Sequence, residues 1–213
     1  MPDEVDDEYI LEHAVLPQPP GKLSLVVGFN LNARVFQAAL TSTMPQRAQA
    51  SNEPCYCSRA EGYSFEVQQL KERLCELRYM LDDIPTQMRP WAVFGEAGSS
   101  VTASENIVHG QFASMRANIH TSQLWFQSLV LDQLDALVET ETARGSALPL
   151  SIVSDHNSKS AWKEREDLCR QLLHLLHGIP EVYLEPNGNA LVRLLKTRTD
   201  ITNSSHRFVR SAM

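Results

Sequence analysis

The densest apolar pattern in the chain runs from Gln123 to Val138, QLWFQSLVLDQLDALV. On a 3.6-residue helix, Phe126, Leu129, Val130, Leu134 and Leu137 form one face, while Leu124, Trp125, Leu131 and Val138 cover most of the remainder. The polar strip is reduced to Ser128, Asp132, Asp135 and Glu139. A surface helix buries a single stripe, so a helix with this little polar surface belongs at the centre of a helical bundle.

The same periodicity predicts the flanking elements. A first helix over 23–40 carries Leu25, Phe29, Ala33, Phe36 and Leu40 at spacings of three and four, with Leu23, Val27, Leu31 and Val35 broadening the buried face. Gly28 inside it costs about 1 kcal/mol relative to alanine, which points to a close helix crossing. Residues 41–62 are polar, aperiodic and interrupted by Pro45 and Pro54, the signature of a loop. A helix over 64–81 follows, with a narrow seam of Val67, Leu70, Leu74, Leu77 and Leu81 between charged flanks. The seam spans fewer than three heptads, which favours packing inside the bundle over a dimer zipper.

A long helix over 104–142 contains the opening stretch in its second half. Its length, close to ~60 Å at 1.5 Å per residue, raises the expectation of a bend or break. Residues 148–158 read as another loop. The next helix is capped by Ser158 or Ser160, buries Trp162, Leu168, Leu172, Leu173 and Leu176, and stops at Gly178 and Pro180. A short helix over 189–196 follows the turn at Glu185-Pro186-Asn187-Gly188. No segment has a convincing strand pattern. The predicted fold is all-α, an irregular bundle of five to seven helices around a long, largely buried central helix. Residues 1–197 form one domain, and the polar stretch 198–213 is a disordered tail. The expected core is Phe29, Phe36, Leu70, Leu74, Leu77, Trp125, Leu129, Leu134, Leu137, Leu172 and Leu176.

Composition narrows the function. A net charge of −7 and the lack of a clustered Lys/Arg face argue against nucleic-acid binding by this chain alone. No apolar run approaches the length of a membrane span, and the N-terminus is acidic where a signal peptide is basic, which implies an intracellular protein. The acidic residues Asp3, Glu4, Asp6, Asp7, Glu8 and Glu12 read as a solvated leader, which continues into the proline-rich stretch Leu16–Gly21, expected to lie extended over the bundle. Of the four cysteines, only Cys55 and Cys57 are close in sequence. Without a second short-spaced pair they are read as free thiols, so no metal or cofactor is expected.

The remaining chemistry is weak. His174 and His177 lie one helical turn apart but lack a third ligand, which favours packing histidines over a metal site. Ser154-Asp155-His156 has the residue types of a triad, yet neighbours in one loop do not adopt its geometry. Gly21-Lys22-Leu23-Ser24 lacks the earlier glycine and the adjacent Lys-Ser/Thr of a phosphate loop. His109 and His120 have no evident partners, and Trp91, Trp125 and Trp162 are most simply core or interface aromatics. No enzyme activity is expected.

Several segments together resemble a known family. Val5-Asp6-Asp7-Glu8-Tyr9-Ile10, Leu16-Pro17-Gln18-Pro19, Gly28-Phe29 and Val35-Phe36 come first. They are followed by LRYMLDDIPTQMRPW from Leu77, MRANIHTSQLWFQSLVLDQL from Met115 and EDLCRQLLHLLHGIPEVYLEPNGNALV from Glu166. In order and spacing these blocks resemble part of the middle homology region of fungal binuclear zinc-cluster transcription factors. The resemblance implies an all-α regulatory module of a nuclear regulator of metabolic or secondary-metabolite genes. It also implies action through protein contacts or a small-molecule effector among the helices. The family's six-cysteine DNA-binding module has no counterpart here, so no zinc ligand is carried over. The sequence starts partway into the homology region, and its last residues do not align with the family's continuation. A truncated module should leave apolar surface uncovered and engage a protein partner or self-associate. The other reading is a stand-alone helical interaction protein, or a truncated paralogue that titrates a full-length regulator.

Overall fold

Helix α3, Ala103–Ala143, runs without a break through the centre of the computed structural model, and the other helices pack against it. The structure describes residues 1–40, 56–92, 103–143 and 150–195, with side chains over 1–40, 63–92, 106–140 and 161–195. Helix α1 spans Leu25–Leu40, α2 Tyr56–Tyr79, α4 Leu150–Gly178 and α5 Glu181–Leu184, followed by a last helix, α6, over 188–195. Among the described residues there is no strand, only an isolated bridge between Ile10 and Val15 in the leader. The fold is all-α around a long, largely buried central helix, as the apolar pattern predicts.

Two cores explain why α3 is apolar on so many sides. On one side Ala117, Leu124, Val130, Leu131 and Leu134 meet Leu70, Leu74 and Leu77 of α2, Leu168, Leu172 and Leu175 of α4, and Leu184, Leu191 and Leu194 beyond it. On the other, Phe112 and Ile119 meet Val27, Leu31 and Val35 of α1 and Leu81, Ile84 and Met88 of the connector after α2. A helix that separates two apolar clusters needs two apolar faces.

The α2 seam is buried as its spacing predicts, with Leu77 fully enclosed. Elsewhere the buried face differs from the expected one. On α1, Phe29, Phe36 and Leu40 are exposed, and Val27, Gly28, Leu31, Val35, Ala38 and Ala39 point inward. The cause is the close approach of α1 to α3 at Gly28. A Cβ there would sit 2.5 Å from Met115 Sδ and 2.8 Å from Met88 Cε, so small and β-branched residues face the crossing and the bulky rings turn outward.

On α4 the run LLHLL offers two apolar stripes one residue apart. The buried one is Leu168, Leu172, Leu175 and Ile179, leaving Trp162, Leu173 and Leu176 exposed. Arg165 decides the rotation by pairing with Asp135 and, at 3.5 Å, with Asp132 of α3. On α3, Leu129 is exposed and Trp125 and Leu137 are half-buried, while Gln123, Gln127 and Ser128 are buried in their place.

Two expected loops are partly helical. Helix α2 begins at Tyr56, within the predicted loop 41–62, because residues such as Arg59, Ala60 and Glu61 favour helix even without an apolar period. Helix α4 begins at Leu150, where Ser, Asp and Asn read as loop residues. Residues 41–55 and the predicted tail 198–213 lie outside the described residues.

The acidic leader is tied to α1 rather than merely solvated. Asp6 Oδ1 accepts hydrogen bonds from Ser24 Oγ at 2.8 Å and from the Leu25 N–H at 3.1 Å, and Ser24 Oγ accepts from the Val26 N–H at 3.1 Å. These bonds satisfy donors at the start of α1 that have no helical acceptor, and the carboxylate sits at the positive end of the helix dipole. Buried Asn30 donates to the Pro2 carbonyl at 2.9 Å, which holds the leader along the helix.

Candidate functional site

Two features could carry function, a buried polar row on α3 and an exposed apolar face on α1 that continues onto α3. The row is Arg116, His120 and Gln123, spaced by four and three residues and all at least 93% buried (2%, 7% and 4% exposed). Each reaches a backbone carbonyl of α2 or the connector that follows it. Arg116 Nη1 donates to Ala92 at 2.7 Å, His120 Nε2 lies 2.9 Å from the Met88 oxygen, and Gln123 Nε2 donates to Leu77 at 2.7 Å. The last carbonyls of a helix have no partner within it, and Gln123 supplies one for α2.

A carbonyl only accepts, so His120 carries its proton on Nε2. Burial lowers its pKa to about 4, the Met88 bond opposes that shift and the Arg116 charge adds to it, so the ring is neutral at physiological pH. With all three polar tips directed at backbone, the row fixes the connector against α3 and accounts for itself structurally. Ion pairs hold α4 from two sides. Arg78 of α2 forks onto Glu164 at 2.9 Å and Asp167 at 3.0 Å, and Arg165 pairs with Asp132 and Asp135 of α3.

The second feature lies on the outside. Phe29 and Leu40 of α1 are each 61% exposed and Phe36 is 39% exposed, with half-buried Ala33 between them. Phe36 meets Phe126 of α3 edge to face, with ring centres 5.1 Å apart, and Trp125 stacks on Phe126 at 5.4 Å. Leu129, 39% exposed, lies one turn beyond Trp125. Scattered surface leucines are ordinary, but a stripe of large apolar side chains along one helix, continued on the next through ring contacts, is the kind of surface that binds another protein. Periodicity detected this stripe but assigned it to the core.

The other sequence candidates do not converge. His174 and His177 are exposed on α4, and His109 is exposed far along α3 from His120. Among the described residues no group of three or more His, Cys, Asp or Glu is placed to hold a metal ion. The backbone at Ser154-Asp155-His156 is helical, and their side chains lie outside the described set, as does Cys55. Gly21 adopts φ +83°, Lys22 pairs with Glu8 and Ser24 caps α1, so this stretch serves the helix start. Trp91 and Trp162 are exposed, at 69% and 53%. No helix among the described residues is long and apolar enough to cross a membrane.

Comparison with known protein families, with curated proteins and with solved structures finds no match.

Proposed function

We propose that this chain is a helical regulatory module that works by protein contact, as part of a fungal transcription regulator of metabolic or secondary-metabolite genes. The observation that carries the contact reading is the exposed stripe Phe29, Ala33, Phe36 and Leu40 and its continuation over Trp125 and Leu129. The regulatory and nuclear part of the reading rests on the sequence resemblance. The net charge of −7 is consistent with a module that leaves DNA contact to another part or another protein.

The test is a tethering assay. The chain is fused to a heterologous DNA-binding module in a fungal reporter strain, beside a variant carrying Phe29→Glu and Leu129→Glu. The fusion should change reporter transcription and the variant should not, at equal protein levels. A fusion that leaves the reporter unchanged, or a variant as active as the parent, would sink the proposal. The purified chain alone should not shift DNA in a gel.

A further inference from the structure

We infer that the occupant of the α1 stripe is a second copy of this chain, with the two α1 helices antiparallel about a two-fold axis. This rests on the contact reading above and names the partner. The stripe residues Phe29, Ala33, Phe36 and Leu40 follow one another at spacings of four, three and four, the rhythm of a coiled-coil seam, on the side of α1 opposite its buried face, with Phe36 also touching Phe126 of α3 at the edge of the stripe. That rhythm reads the same in both directions. An antiparallel copy therefore sets Phe29 opposite Leu40, and Ala33 opposite Phe36, at both ends of the pair.

Size favours this register. At the centre each small Ala33 faces a large Phe36, so the helices approach closely without overlap. A parallel pair would oppose alanine to alanine and phenylalanine to phenylalanine, leaving a gap beside a collision.

Charge favours a self-contact as well. The one charged side chain of α1, Arg34, projects about 130° from the stripe at 100° per residue, and the stripe is bordered by Asn32 and Gln37. Among the α1 side chains, therefore, no like charges meet across the axis. The copies otherwise repel through their net charge of −7 each, so added salt should strengthen the dimer, the reverse of what an oppositely charged partner would show. One four-turn helix with the Trp125 and Leu129 edge is a small contact, of the kind that forms weak, concentration-dependent dimers.

Sedimentation velocity of the full chain, from micromolar to several hundred micromolar, tests this alongside binding of a hydrophobic dye. The wild type should dimerise with rising concentration, more readily at higher salt, and lose dye as it does so. Phe29→Lys and Leu40→Glu should each weaken dimerisation by roughly tenfold or more. The double variant should restore it, because each lysine then faces a glutamate only in the antiparallel register. Both positions are 61% exposed, and unchanged thermal melts verify that the variants fold.

A dimer indifferent to the single substitutions, or not rescued by the double one, overturns the α1 pairing. A wild type that stays monomeric but binds dye overturns the homodimer and leaves the face to a different protein. A monomer that binds no dye overturns both this inference and the contact reading.

Discussion

His120 of α3 and Met88 of the connector after α2 are joined in the interior by a hydrogen bond of 2.9 Å from the imidazole Nε2 to the carbonyl oxygen. A titratable ring is thereby used as a neutral donor, at the point where the chain must turn from α2 toward α3. Burial and the nearby Arg116 charge keep the ring neutral, outweighing the bonds to Met88 and Gln123 that would favour its charged form.

This gives a pH dependence with a definite sign. The His120 pKa is 6.5 in the unfolded chain and about 4 in the folded one, so between these values the unfolded chain binds more protons. Stability from this group is full above pH 6.5 and is lost as pH falls toward 4. At 1.36 kcal/mol per pKa unit the loss is about 2 kcal/mol by pH 5. His120→Gln keeps an N–H donor and removes the titration. Urea unfolding at pH 7 and pH 5 should show the variant gaining about 2 kcal/mol on the wild type over that interval, and equal slopes would refute the assignment.

The approach of Gly28 to Met115 sets a second expectation. Alanine at 28 gains up to about 1 kcal/mol in helix propensity. Against this, its Cβ would lie 2.5 Å from Met115 Sδ and 3.2 Å from Met115 Cβ, and overpacking of this kind costs about 1 to 3 kcal/mol. The Met88 end can swing aside, but the Met115 Cβ is fixed to α3, so the clash prevails. Gly28→Ala should destabilise by about 1 kcal/mol. Combined with Met115→Ala it should cost less than the sum of the two single changes, and additive effects in the double-mutant cycle would show that the crossing is looser than the geometry indicates.

Arg78 carries a third. Its guanidinium donates to both Glu164 oxygens, at 3.1 and 2.9 Å, and to Asp167 at 3.0 Å, with all three side chains less than a third exposed. Burial opposes its charge, and Glu164, with Tyr79 and Asp167 beside it, more than offsets this, raising its pKa. Lysine cannot reproduce the fork. Arg78→Lys should therefore lose most of the coupling to Glu164, which partial exposure limits to about 1 kcal/mol. A coupling in Arg78→Lys equal to that of the wild type, measured with Glu164→Gln, would show a simple charge pair.

These residues also mark what the sequence could disclose. The Leu70, Leu74 and Leu77 seam is flanked by charges, so only one face of α2 was available for burial, and periodicity located it. On α1, α3 and α4 apolar positions outnumber buried ones, and selection among stripes falls to long-range constraints. Gly28 turns α1, Arg165 turns α4, and carbonyls of α2 and its connector draw Gln123 and His120 inward. The partners of Gln123 and His120 are not visible in the sequence because they are backbone oxygens, which any sequence provides. The exposed Phe29 and Phe36 were mistaken for core by the same omission. Their spacing was visible, but the side of α1 that faces α3 is decided by a glycine.

The leader provides the last prediction. Asp6 is held by four partners: the Gln18 amide at 2.9 Å, the Ser24 hydroxyl, the Leu25 N–H and, at 3.8 Å, the Lys22 ammonium. Burial would raise its pKa, but these bonds and the nearby charge outweigh it, so the folded value lies below the model-compound value of 3.8. A carboxylate depressed in the folded state stabilises above its unfolded pKa, and the contribution disappears as pH falls through the folded value. Asp6→Ala should therefore cost about 1 kcal/mol at pH 7, the usual cost of losing a cap. Its reach should be local. Amide exchange should accelerate at Leu25 and Val26, and proteolysis should increase within residues 7–20, while α2, α3 and α4 keep their protection. Protection at Leu25 unchanged by the substitution would mean that Ser24 alone starts the helix and that the acidic leader is not its cap.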